Sequence, residues 1–149
     1  MRGVIQRVKK AKVYVQGKAI SGIGKGLLVF VGITDNDGEE DVRLFCDKVC
    51  NLRIFEDSNG KMNHSVKEIN GEILLVSQFT LYGDCRKGRR PNFMRAAPAD
   101  KAEKIYYQLV ESLQSHGVPV HTGQYQAEME VCLINDGPVT ILIDTHKNF

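Results

Sequence analysis

Glu72-Ile73-Leu74-Leu75-Val76-Ser77-Gln78-Phe79-Thr80 begins as an unbroken apolar run and ends on hydroxyls and an amide. An apolar run without alternation belongs to a strand covered on both faces, so the stretch predicts a buried strand from Glu72 to Phe79. Asn70-Gly71, a tight-turn dipeptide, precedes it, and Asn59-Gly60 marks another turn upstream. Leu27 to Gly32 repeats the pattern after Gly22, Gly24 and Gly26 and predicts a second buried strand.

Helical spacing supplies the cover. Asp37 with Glu40 forms a capping-box pattern ahead of Val42, Phe45, Cys46 and Val49, which predicts a helix over about Glu39 to Asn51. Asp100 with Glu103 starts a second, carried by Ala102, Ile105, Tyr106, Leu109, Val110 and Leu113 and stopped by Gly117. The N-terminal alternation through Lys12-Val13-Tyr14-Val15 before Gly17 predicts a strand and turn. Met129 to Ile134 and Val139 to Asp144 read as two closing strands joined by a turn at Asn135-Asp136-Gly137-Pro138. The fold class is therefore α/β: a layered mixed β-sheet with two main helices, in one domain spanning residues 1–149. Two helices are too few for a doubly wound dinucleotide fold.

Composition bounds the setting. The 42% apolar and 26% charged content fits a soluble globular chain. Charge interrupts every apolar run of Met1 to Arg7, so no signal peptide is read, and no run approaches the ~20 residues of a membrane span. A cytoplasmic location follows, with Cys46, Cys50, Cys85 and Cys132 as reduced thiols. Cys46 and Cys50 share a helix face without a nearby histidine and read as small core residues. The four histidines show no ligand spacing, so no metal is expected.

Three features carry chemistry. Ser77, Gln78, Phe79 and Thr80 put polar groups at a strand end; Thr80 is a good strand former and, beside a base, a nucleophile, yet no histidine stands near it in sequence. Arg86, Lys87, Arg89, Arg90 and Arg95 crowd one stretch without an acidic residue, with Pro91, Phe93 and Met94 interleaved, which suits either phosphate contact or a solvated charge run. Cys85 in that cationic loop raises sulfur transfer or phosphate-ester chemistry, but cysteine-phosphatase spacing would need arginine where Pro91 stands.

Ser77-Gln78-Phe79-Thr80 and Asn135-Asp136-Gly137-Pro138-Val139-Thr140 together resemble the two signature motifs of the D-aminoacyl-tRNA deacylase family. The likeness extends through Ile5-Gln6-Arg7-Val8, Leu52-Arg53-Ile54-Phe55, Lys87-Gly88-Arg89-Arg90-Pro91 and Thr122-Gly123.

The resemblance implies an ester hydrolase that removes D-amino acids from tRNA, a chiral proofreading step in translation quality control. It also implies a homodimer in which Gly137-Pro138, joined by a cis bond, reaches the partner's Ser77 to Thr80 site. Arg7 matches the residue that braces the Gly-Pro motif. Catalysis would rest on Ser77, Gln78, the Phe79 N–H and Thr80, with either the Thr80 hydroxyl or a water assisted by the tRNA 2′-OH as nucleophile. Gly137 and Pro138 would exclude L-residues, and glycyl-tRNA mischarged on alanine tRNA would also be cleaved. Lys87, Arg89 and Arg90 are the expected tRNA contacts. No cofactor or metal is implied, and neither a membrane nor DNA is an expected partner.

Overall fold

A computed structural model describes Met1–Phe149. In chain order it contains β1 (Arg2–Val15), β2 (Lys18–Ile23), β3 (Gly26–Gly32), α1 (Glu39–Asn51), β4 (Phe55–Glu56), β5 (Met62–His64), β6 (Glu72–Ser77), a 3-10 turn (Phe79–Tyr82), α2 (Ala99–Ser115), β7 (Val120–Thr122) and β8 (Glu130–Asp144). Along one edge, the first half of β1 pairs antiparallel with β3 (Arg2↔Gly32 to Val8↔Gly26) and the second half with β2. Its other edge carries β8, from Arg2↔Asp144 to Tyr14↔Glu130. β6 runs parallel to β3, and β7 parallel to β6.

Parallel neighbours need long crossovers. α1 lies in the one from β3 to β6, and α2 in the one from β6 to β7. Both helices cover the same face, where Phe45, Cys46, Val49, Ile105, Tyr106 and Leu109 meet Ile5, Leu27, Val29, Ile73 and Leu75 in the main core. On the opposite face Val8, Val13, Leu28, Leu74 and Val76 form a second cluster, closed by Phe30, Met129, Val131 and Leu133. Leu27, Leu28 and Val29 thus alternate between two cores, which is why that run shows no polar alternation. The expected class holds: a mixed sheet curled on itself and carrying two helices.

Several local expectations change. The buried strand stops at Ser77, and Phe79–Tyr82 turns as a 3-10 segment. Gly32 permits this: a Cβ there would stand 3.0 Å from both the Gln78 carbonyl oxygen and Leu81 Cβ, so the turn lies directly against β3. The two closing strands are one, β8, because both arms pair with the same strand. Gln6 faces Thr140 and Val8 faces Asn135, so the intervening residues bulge from the ladder instead of reversing the chain. The capping box shifts by one residue, with the Gly38 N–H donating to Asp41 Oδ2 at 3.1 Å. Asp37 is buried, accepting from the Thr34 N–H and the Met1 ammonium. At α2 the cap position is Pro98 rather than Asp100.

Candidate active site

Where β6 ends, the chain changes direction within two residues. The Gln78 N–H still donates to the Val31 carbonyl at 2.8 Å, the last ladder bond, while the Leu81 N–H turns back to the Gln78 carbonyl at 3.3 Å. The N–H groups that open such a turn have no acceptor inside it, and here they belong to Phe79 and Thr80. The Gln78 side-chain amide donates to the Thr80 hydroxyl. That hydroxyl therefore has an amide neighbour, not a carboxylate or imidazole.

The strand end opens onto an apolar cavity of about 640 Å³. Ser77, Gln78 and the exposed Phe79 line its mouth, with the buried Val76 and with Ala97, Ala102, Tyr125 and Met129 also in the lining. Phe79 is 57% exposed and meets Phe93 edge-on at 5.3 Å. Tyr125 is fixed by its hydroxyl donating to the Ala99 carbonyl at 2.9 Å, and burial raises its pKa. The loop leaving β7 closes in because the Gly123 N–H donates to the Leu75 carbonyl, and a Cβ at Gly123 would stand 2.7 Å from Met129 Sδ. Tyr125, Met129 and the alanines at the start of α2 escape sequence reading. Alanines in a helix and an isolated tyrosine in a loop carry no local mark of a cavity.

The second motif is the β8 bulge. The Gly137-Pro138 bond is cis, and Gly137 adopts φ +129°. Both residues are exposed, whereas Arg7, opposite them on β1, is buried at 4% exposure. Arg7 Nε donates to the Asp136 carbonyl at 2.9 Å, and Nη1 to the Ile54 carbonyl at 2.6 Å. Asp136 and Glu56 carboxylates, 3.5 and 3.9 Å away, answer its charge. One buried guanidinium thus ties the bulge to the loop before β4.

These motifs do not meet within one chain. β8 and β6 are separated in the sheet by β1 and β3, and although Val131 near the start of β8 lines the strand-end cavity, neither Gly137 nor Pro138 does. Lys87, Arg89 and Arg90 lie exposed on the loop after the 3-10 turn. Cys85 is exposed on that loop and lines a different cavity from Ser77 and Phe79. Cys46 and Cys50 are wholly buried in the main core, and burial pushes their thiols up to about 11 and about 12. Asp37, Asp41 and His146 place ligand-type atoms within 4.8 Å of one another. The Met1 ammonium already sits there, 2.5 Å from Asp37 Oδ1, and supplies the positive charge those carboxylates call for. No helix is long and apolar enough to cross a membrane.

Comparison with known proteins gives this geometry a family. Residues 4–144 match the family described as D-Tyr-tRNA(Tyr) deacylase. The chain is 61% identical to a D-aminoacyl-tRNA deacylase of Halothermothrix orenii and 58% identical to one of Thermotoga petrophila, in each case over 149 residues and the full length of both chains. Among solved structures it resembles the c-Myc DNA Unwinding Element Binding Protein, with a TM-score of 0.93 and 41% identity over 97% of this chain and 99% of that one. It shares its fold with a probable eukaryotic D-amino acid tRNA deacylase at a TM-score of 0.80 and 20% identity, over 95% of this chain and 97% of that one. With a strand-end cavity, an Arg7-held Gly-Pro bulge and full-length identity of this order, the chain belongs to the D-aminoacyl-tRNA deacylase family.

Proposed function

We propose that the protein hydrolyses the ester bond of D-aminoacyl-tRNA, releasing the D-amino acid and free tRNA. The observation that carries this reading is the apolar cavity whose mouth is Ser77, Gln78 and Phe79. An apolar pocket with a few polar groups at its mouth suits a nucleoside carrying an ester, and the Phe79 and Thr80 N–H groups at the same strand end would serve as donors to a developing oxyanion. Water adds to the ester carbonyl, the oxyanion accepts from those N–H groups, and on its collapse the bond to the ribose oxygen breaks, that oxygen taking the proton the water gives up. Gln78 occupies the Thr80 hydroxyl. This favours a water assisted by the tRNA 2′-OH over Thr80 as nucleophile.

Chiral selection belongs to a homodimer in this reading. Gly137 and Pro138 are exposed on the outermost strand, outside the lining of their own cavity and free to enter a partner's. Their carbonyls accept from the substrate ammonium, while the ester sits at the strand end. With two directions at Cα fixed, a D side chain points outward and an L side chain collides with the Gly-Pro backbone. Glycine has nothing to collide, so glycyl-tRNA mischarged on alanine tRNA is also a substrate. Arg7 positions the bulge, Ser77 lines the entrance, and residues 1–149 act as one domain in the cytoplasm without cofactor or metal. Lys87, Arg89 and Arg90 reach toward the tRNA.

The test is to incubate the purified protein with matched D- and L-tyrosyl-tRNA and follow free tyrosine. Rapid release from the D-form alone is expected; equal rates, or none, would sink the reading. Cys85→Ser retains full activity, and its inactivation would favour sulfur chemistry instead. Salt-sensitive tRNA binding without turnover would favour a non-catalytic RNA module.

A further inference from the structure

One turn beyond the cavity mouth, the protein has a second concave surface, of about 600 Å³, walled by Arg2, Tyr82, Asp84, Arg86, Arg95 and Asn148. The 3-10 turn links the two: Phe79 lines the first and Tyr82 the second, a rise of about 6 Å for three residues. Its charge is uneven. Arg2 donates through Nε to Asp144 and through Nη1 to the Leu81 carbonyl, and Arg86 clasps Asp84 through Nε and Nη2. Two guanidinia thus have carboxylates, yet each keeps a terminal nitrogen, Nη2 of Arg2 and Nη1 of Arg86, without a protein partner.

Arg95 is different. It forms no ion pair of its own, although Asp84 feels its charge, so three guanidinia here face only the carboxylates of Asp84 and Asp144. Its backbone is fixed, because the Thr34 hydroxyl donates to the Arg95 carbonyl and the Ala97 N–H to the Ile33 carbonyl. Its guanidinium lies 5.9 Å from the Tyr82 ring centroid, with Arg2 at 4.8 Å from the same ring. Tyr82 is 2% exposed, and both cations lie against this one fixed ring. Planar guanidinium groups with spare donors around a concavity suit the tetrahedral oxygens of a phosphate.

We propose that this surface is a phosphodiester subsite, in which Arg95, flanked by Arg2 and Arg86, binds a backbone phosphate of the tRNA 3′ strand next to the acylated terminal nucleoside. The assignment rests on the deacylase reading and deepens it. It moves the main phosphate contact from Lys87, Arg89 and Arg90 on the open loop to a built concavity one turn from the ester. Phosphate contacts set register and carry no sequence information. A subsite here therefore seats the ester in the first cavity on any tRNA.

The experiment compares wild type, Arg95→Gln and Arg95→Lys on D-tyrosyl-tRNA and on 3′-O-D-tyrosyl-adenosine, which lacks the phosphates. Arg95→Gln raises KM for the tRNA substrate by roughly tenfold relative to its effect on the nucleoside ester, and flattens the salt dependence of tRNA affinity by about one unit of slope. Arg95→Lys recovers part of the loss, since a point charge still attracts phosphate. An equal effect on both substrates, or none on the tRNA, overturns the proposal while leaving the deacylase reading intact. Wild type inactive on both substrates overturns the deacylase reading, and affinity for uncharged tRNA unchanged in Arg95→Gln then removes the subsite as well. Inorganic phosphate serves as control: if Arg95→Gln loses phosphate binding but keeps its KM for tRNA, the site is one for a free anion and the proposal fails.

Discussion

Gly137 sits at φ +129°, where L side chains are rare, and a Cβ there would stand 2.9 Å from Val139 Cγ2 and 3.1 Å from Arg7 Nη2. Alanine cannot settle into that space without moving either the bulge or the arginine that holds it. A non-glycine residue held in such a backbone region costs about 2 kcal/mol. Gly137→Ala should therefore lower both D-tyrosyl-tRNA turnover and the ratio of D to L hydrolysis. Thr80→Ala, which removes only a hydroxyl already held by Gln78, should cost less than tenfold in kcat. Steady-state rates on both enantiomers check this. A Thr80→Ala protein that binds substrate but cannot cleave it would make the hydroxyl the nucleophile.

At the scale of the element, α1 is fastened at its first turn. The Asp41 carboxylate accepts from the Gly38 N–H and from the Thr145 hydroxyl, joining the helix start to the segment after β8. Burial alone would raise the Asp41 pKa, but the hydrogen bonds from Thr145 and Gly38 outweigh it and the net shift is downward. A carboxyl with a depressed folded pKa stabilises fully above its unfolded value. That contribution fades as pH falls through the unfolded value, roughly 3.9, and is gone below the folded one. Asp41→Asn should lose about 1 kcal/mol near neutral pH, as loss of a helix cap does. The gap between variant and wild type should narrow below about pH 4. Chemical denaturation at pH 7 and pH 3 measures it, and a gap that widened in acid would contradict the assigned sign.

The whole molecule leaves its longest strand on the outside. β8 runs 15 residues with only its β1 edge paired, and it exposes Ile134 at 46% and Leu142 at 59%. Long unpaired edges invite association with another chain. In the proposed dimer, that association also carries Gly137-Pro138 into the partner's site. Leu142→Lys should shift the mass measured by light scattering from two chains toward one and should lower turnover in parallel. A variant that stayed dimeric, or a monomer with full activity, would break the link between assembly and catalysis.

The sequence by itself determined the two helices, the buried strands and the identity of both motifs. Apolar periodicity and turn dipeptides act over a few residues, and such local patterns place α1 at Glu39–Asn51 and mark Ser77 to Thr80 as a polar strand end. The curled sheet, the fusion of two expected strands into β8 and the Arg7 clasp depend on partners far along the chain. Nothing around Gly137 announces that both arms beside it pair with β1. Nor does any local pattern bring Tyr125, Met129 and Ala102 to the strand end as one cavity. Tertiary structure also divided the basic stretch, leaving Lys87, Arg89 and Arg90 on an open loop while setting Arg95 and Arg2 around Tyr82, because that grouping rests on contacts between segments far apart in the chain. The motif that opens with Ser77 was legible as chemistry; the room around it was decided by packing.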